Sequence, residues 1–168
     1  HKTLANYFKI KNHLLKSSEI RIYNYDDNHL KSNFKKLARG IWVSLDDKNK
    51  TIEECDYWLD EKGYIVEKGI ALFHSDALKL KGKHNILNLL LATAAARKIG
   101  LTSKKIKNSL KTYKQLPHRL ETIYSARNLE VINDSKATNF DSSFSGINSL
   151  DEGQIIIIGG RMKKGDSK

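Results

Sequence analysis

The sequence predicts an α/β fold, and three stretches carry that prediction. His84–Ile99 sets Ile86, Leu87, Leu89, Leu90, Leu91, Ala94 and Ala95 on a broad apolar helical face, with Gly100 as a stop signal. Gln154–Ile158 is an apolar run of strand length, the pattern of a strand buried on both faces of a parallel sheet. Leu129–Phe140 passes from a short strand through a polar loop into a helical pattern that continues through Ile147. In open α/β sheets, ligands collect outside the carboxyl ends of strands, where loops and helix N-termini face one crevice. An acid, a lysine and a hydroxyl fall at that point. Asp134 offers a carboxylate for ribose hydroxyls or a metal, Lys136 a cation for phosphate, and Thr138 a hydroxyl for substrate or for helix capping. The plainer reading has Thr138 and Asp141 as ordinary caps.

The other elements follow in order. Thr3–Ser17 reads as a helix, with Leu4, Tyr7, Phe8, Leu14 and Leu15 at helical spacing and Lys11 on the same mostly apolar face. A lysine so placed snorkels, burying its stem while the ammonium reaches water. Ile20–Asn24 reads as a strand ending in Tyr25-Asp26-Asp27, followed by a helix over His29–Ala38 and a strand over Gly40–Leu45. Asp46–Asn49 is a polar loop. Tyr57–Leu59, Tyr64–Val66 and Ile70–Phe73 read as short antiparallel strands turned at Lys62-Gly63 and Lys68-Gly69. Between Asp26 and Leu80 no catalytic pattern stands out. At the start of the 84–99 helix, Asn85 suits capping, and Asn88 suits reading an adenine edge. Ser103–Tyr113 is a short helix with Ser103 as its cap, and Pro117 makes Gln115–Pro117 a linker. Arg119 offers a planar fork for phosphate or carboxylate, or a surface ion pair with Glu121. Leu120–Ala126 and Leu129–Ile132 are strands joined at Arg127-Asn128, and Asn139–Leu150 is a helix. With Gln154–Ile158 it makes a right-handed βαβ crossover ending at Gly159-Gly160.

Composition narrows the classes. The 168 residues suit one domain or parts of two, and 39% hydrophobic content supports a packed core. The sequence has no apolar run of membrane-span length and no leader pattern, and its two ends read as those of a fragment. Its single cysteine, Cys55, excludes an internal disulfide and reads as a small apolar core residue. The net charge of +11 is nearly all lysine, with scattered asparagine and isoleucine, so a solvated surface or a phosphate-bearing substrate fits better than nucleic acid.

Asn133-Asp-Ser-Lys-Ala-Thr-Asn139 resembles the Mur ligase family, specifically its D-glutamate-adding branch. Gly82-Lys-His-Asn85-Ile-Leu-Asn88, Leu116-Pro-His118-Arg119-Leu-Glu121 and Gly159-Gly-Arg-Met-Lys163-Lys-Gly-Asp166 match it in family order across the chain. The resemblance implies the late part of a central ATP-binding domain over residues 1–116. It implies the start of a Rossmann-like C-terminal ligase domain over 117–168. It implies ATP and Mg²⁺ as cofactors, and UDP-N-acetylmuramoyl-L-alanine and D-glutamate as substrates. A cytoplasmic protein, monomeric at full length, with neither nucleic acid nor membrane as partner, is expected.

By the same resemblance Lys11 becomes a carbamate that ligates Mg²⁺, and Asn88, Arg119 and Asp134 hold the nucleotide. Lys136 sits at the transferred phosphoryl group, while Thr138 and Lys163 (or Lys164) hold D-glutamate. The Gly-rich phosphate loop ending in Gly-Lys-Thr or Gly-Lys-Ser that the family uses does not occur in this sequence, so the chain alone is expected to lack ligase activity. Another Mur or folylpolyglutamate-type ligase and a basic polyanion-binding module are the rival readings.

Overall fold

Through Leu110, strand-forming runs build one mixed sheet, and helices from before and after them cover its two faces. The computed structural model describes residues 3–49, 55–80, 82–150 and 153–160. They fall into two units, one through Lys79 plus Ile86–Thr112, the other Leu80–Asn85 plus the residues from Tyr113 onward.

In the first unit, α1 (Leu4–Ser17), β1 (Ile22–Asn24), α2 (Asn28–Ser32), β2 (Ile41–Ser44), β3 (Tyr57–Leu59), β4 (Tyr64–Glu67), β5 (Ile70–His74), α3 (Lys83–Lys98) and α4 (Ser103–Leu110) follow in order. The strands make one sheet, β1-β2-β3-β4-β5. β1, β2 and β3 run parallel, in register Ile22↔Ile41 and Val43↔Tyr57. The β3–β4 and β4–β5 pairs are antiparallel, as expected for those three strands.

Side chains alternate across a strand, and two cores result. Val43, Tyr57, Ile65 and Phe73 pack with Leu89, Leu90 and Ala94 of α3 and Ile106 of α4. Tyr23, Tyr25, Trp42 and Cys55 form the other cluster, under Leu15 of α1 and Leu30 of α2. Each fully buried large side chain contributes roughly 1.5–3 kcal/mol. Cys55 is buried and outside any disulfide, as expected for a small apolar core residue.

Tyr57, Glu67 and Arg97 tie the first core to the end of α3. The Tyr57 hydroxyl donates to Glu67 Oε1, and Arg97 donates to Glu67 Oε2 through Nε at 2.8 Å and Nη2 at 2.7 Å. Arg97 Nη1 also donates to the Leu101 carbonyl at 3.0 Å. Burial pushes the Glu67 carboxyl up, but the hydrogen bonds from Arg97 and Tyr57 and the guanidinium charge outweigh it and hold it below its usual range. Burial, then the Glu67 hydrogen bond and charge, push the Tyr57 phenol well above the usual range.

Several boundaries differ from the sequence reading. The helix expected over His29–Ala38 breaks into α2 and a 3₁₀ turn at Phe34–Lys36. Asn33 causes the break: its side-chain amide donates to the His29 carbonyl at 2.9 Å, closing the last turn of α2. At the other end Asp27 Oδ1 caps both His29 and Leu30 at 2.9 Å. α4 is capped by the Thr102 hydroxyl rather than Ser103, through the Lys105 amide at 3.3 Å.

The second unit holds β6 (Glu121–Ala126), β7 (Leu129–Asn133) and α5 (Phe140–Ile147). β6 and β7 form an antiparallel hairpin, Glu121 facing Asn133, turned at Arg127 with φ +52°. The strand expected at Gln154–Ile158 is absent among the described residues. Ile155 and Ile157 are each 95% exposed. A strand is made by its neighbours, and no strand among the described residues pairs with this run, so the parallel crossover does not form there.

Candidate functional site

The polar loop from Asp134 to Asn139 leaves the carboxyl end of β7 and enters α5, as the pattern of residues requires. Asn139 is the cap: its Oδ1 accepts the Ser142 amide at 2.8 Å. That corrects the expectation of Thr138 and Asp141 as caps. Asn139 has extended backbone (φ −147°, ψ 164°), the conformation a capping residue needs, and Asp141 lies in the first turn, where a negative charge suits the helix dipole. Inside the loop, the Ser135 amide donates to Asn133 Oδ1 at 3.0 Å and the Ala137 amide to the Asp134 carbonyl at 2.9 Å.

A second segment, His118–Leu120, is stitched to this loop. The Lys136 amide donates to the His118 carbonyl at 2.9 Å, and the Leu120 amide to Asp134 Oδ1 at 3.1 Å. Asn133 Nδ2 lies 2.9 Å from His118 Nδ1, and because an amide nitrogen only donates, Nδ1 is the acceptor. Gln115 Nε2 donates to the Arg119 and Leu120 carbonyls. His118 and Leu120 have φ of +65° and +49°, a region side-chain-bearing residues seldom adopt, and these bonds hold them there.

Arg119 and Lys136 therefore stand on adjoining backbone segments, both with exposed side chains. Glu121 does not take Arg119 as its partner. Its Oε2 accepts the His118 amide at 2.7 Å and lies 3.6 Å from His118 Nδ1. Thr138 is exposed at the loop's end.

Asp134 is half-buried, and its second oxygen lies against α5. A Cβ built on Gly146 would stand 2.6 Å from Asp134 Oδ2, so glycine there is what lets helix and carboxylate approach. The Asp134 side chain is thus a junction between the loop, the 118–120 segment and α5. Gln115, His118, Asn133 and Gly146 complete the junction. In the sequence Gln115 reads as linker, and neither Asn133 nor Gly146 stands out on its own.

Lys11 and Asn88 belong to the first unit and Asn85 to the second, and the remaining expected residues lie outside the description. Asn88 is exposed, on the second turn of α3. Asn85 is buried at the helix start, and its amide donates to the Gly82 carbonyl at 3.0 Å. Lys11 is exposed, with its ammonium 5.5 Å from the Tyr7 ring centre. Of the expected apolar face, Phe8 and Leu15 turn inward together with Asn12, while Tyr7, Lys11 and Leu14 stay exposed. Lys163 and Lys164 lie outside the described residues. Among the described residues no cluster of three or more His, Cys, Asp or Glu could hold a metal ion, and no helix is long and apolar enough to cross a membrane.

A mixed sheet covered on both faces, followed by a strand–polar loop–helix unit bearing Asp134, Lys136 and Thr138, narrows the class, and the comparisons settle it. Residues 1–96 match the Mur ligase middle domain, and the chain belongs to the Mur ligase family. A UDP-N-acetylmuramoylalanine–D-glutamate ligase of Prochlorococcus marinus strain MIT 9515 is 59% identical over 98% of this chain. Proteins of the same name from P. marinus strain NATL2A and Synechococcus sp. strain CC9605 are 49% and 37% identical, each over 99% of the chain. The chain spans 35–36% of the length of these relatives.

Proposed function

We propose that this chain is the part of an ATP-dependent amide ligase in which the late central domain (1–116) meets the early C-terminal domain (117–168). The whole enzyme adds D-glutamate to UDP-N-acetylmuramoyl-L-alanine, in peptidoglycan precursor synthesis, acting as a cytoplasmic monomer. One observation carries this reading: a relative with that name is 59% identical along nearly the whole chain. The stitched 118–120 and 133–138 segments support it, because they set a guanidinium and an ammonium on adjoining backbone.

In this reading ATP transfers its terminal phosphoryl group to the alanyl carboxylate, giving an acyl phosphate and ADP. The D-glutamate amine attacks the acyl carbon and loses a proton, and the tetrahedral intermediate expels phosphate. Asn88 reads the adenine edge, and Arg119 and Asp134 bind the nucleotide. Lys136 neutralises the charge that grows on the phosphoryl oxygens, work that preorganised cations do well in a water-poor site. Thr138 and Lys163 hold D-glutamate.

Mg²⁺ belongs to the same proposal, with Lys11 as a carbamate supplying one oxygen donor of the kind the ion prefers. The described residues do not complete a cation site around it.

The test is a substrate panel on the whole enzyme. Phosphate release that requires both UDP-N-acetylmuramoyl-L-alanine and D-glutamate supports the proposal. Preference for another acceptor or amino acid overturns it in favour of a different amide ligase of this family.

A further inference from the structure

The positive charge of this chain is concentrated in one stretch of sequence. Residues 77–120 hold 11 of the 30 Lys and Arg and no Asp or Glu, so the remainder carries 19 of each sign and is neutral. In the first unit this stretch includes most of α3, the turn from α3 into α4, and α4 itself. Ile106 of α4 is 7% exposed and seats the helix on the core, while Lys104, Lys105 and Lys107 face solvent. Among the described residues these lysines and Lys98 have no carboxylate within ion-pairing distance.

Three aliphatic side chains are exposed in the same region. Ile99 (69% exposed) and Leu101 (38%) flank Gly100, whose φ of +92° makes the α3–α4 turn. Ile70 (68%) follows the tight Lys68-Gly69 turn between β4 and β5 and pairs in register with Glu67. The two turns are braced against each other, because Arg97 holds the Glu67 carboxylate with one edge and the Leu101 carbonyl with the other. Isolated exposed aliphatics are ordinary on a protein surface. Aliphatics on two mutually braced turns, beside unpaired lysines and an acid-free helix, are a composed surface.

We propose that this surface docks peripherally on an anionic phospholipid bilayer. Lysines meet the negative headgroups, and Ile70, Ile99 and Leu101 enter the boundary between headgroups and acyl chains. Nucleic acid fits less well, since the patch holds neither an arginine free to fork onto phosphate nor an aromatic ring for bases. A peripheral surface needs no spanning helix, so the lack of one among the described residues does not bear on it. The proposal departs from the expectation of no membrane partner, and it does not depend on the ligase reading.

Co-sedimentation of the purified chain with phosphatidylglycerol-containing vesicles, and with pure phosphatidylcholine vesicles, tests it. Binding is expected to the first only and to weaken with salt. Each lysine near such a surface is worth about fivefold in affinity, so K104Q/K105Q/K107Q lowers binding about a hundredfold. Ile70→Asn with Ile99→Asn removes the part of the binding that survives high salt. These positions are solvent-facing, and an unchanged circular dichroism spectrum verifies the fold of each variant. Failure to bind anionic vesicles overturns the proposal, as does unchanged binding in either variant. Displacement from vesicles by random-sequence DNA, together with no effect of the isoleucine substitutions, overturns it in favour of a nucleic-acid surface.

Discussion

The Asp134 carboxylate accepts the Leu120 backbone amide at 3.1 Å, and this bond joins the turn that carries Arg119 to the loop that carries Lys136. Asp134→Ala leaves that half-buried N–H without its acceptor and is expected to cost about 1–3 kcal/mol. Asp134→Asn keeps an acceptor oxygen and costs less. Urea unfolding of the three proteins measures the order, and equal losses in both variants would show that the bond contributes nothing.

Gly146→Ala sets two effects against each other. Alanine in place of glycine inside a helix stabilises by about 1 kcal/mol, whereas the new Cβ would stand 2.6 Å from Asp134 Oδ2. Crowding of a held carboxylate wins, and a net loss of about 1–2 kcal/mol is expected. Adding Asp134→Ala removes the obstruction, so the double variant is more stable than the sum of the single losses predicts. A denaturation cycle reads this coupling directly.

The Tyr57–Glu67–Arg97 network gives a pH signature at both ends of the scale. Glu67 is lowered in the folded state, so its contribution is present above the unfolded carboxylate value of about 4.3 and is lost as pH falls through the folded value. Tyr57 is raised, so its contribution is full below about pH 10 and is lost as pH rises toward the folded value. Melting temperature against pH should fall in both windows. Glu67→Gln should flatten the acid fall, and Tyr57→Phe the alkaline one.

In the whole enzyme, Lys136→Ala should lower kcat by about 10²–10³-fold, the range for losing one preorganised charge donor. Arg119→Lys should raise the KM for ATP with less change in kcat, because a point charge replaces a planar fork. Steady-state kinetics with ATP as the varied substrate distinguishes the two roles. A KM effect confined to D-glutamate would reassign Arg119.

Much of this was legible from the residues. The long helix α3 announces itself because its apolar positions repeat over four turns and burial then follows. Caps were displaced by one residue, Thr102 for Ser103 and Asn139 for Thr138, because neighbouring residues are all capping types and only backbone angles choose among them. Lys11 was assigned to the wrong edge of its helix because Tyr7 and Leu14 look apolar in sequence but stay exposed. The junction around Asp134 could not be read at all. Positive φ at His118 and Leu120, and the approach of Gly146, arise from pairings between segments, and no single stretch records them.

Ile155–Ile158, exposed in the second unit, sets the handling of the isolated chain. Four consecutive β-branched residues with neither charge nor proline are the type of window that stacks into cross-β fibrils. Concentration, more than temperature, should govern how long the polypeptide stays dispersed, and one lysine at Ile156 would lengthen that time. The same letters that read as the middle of a sheet become, uncovered, a seed for assembly.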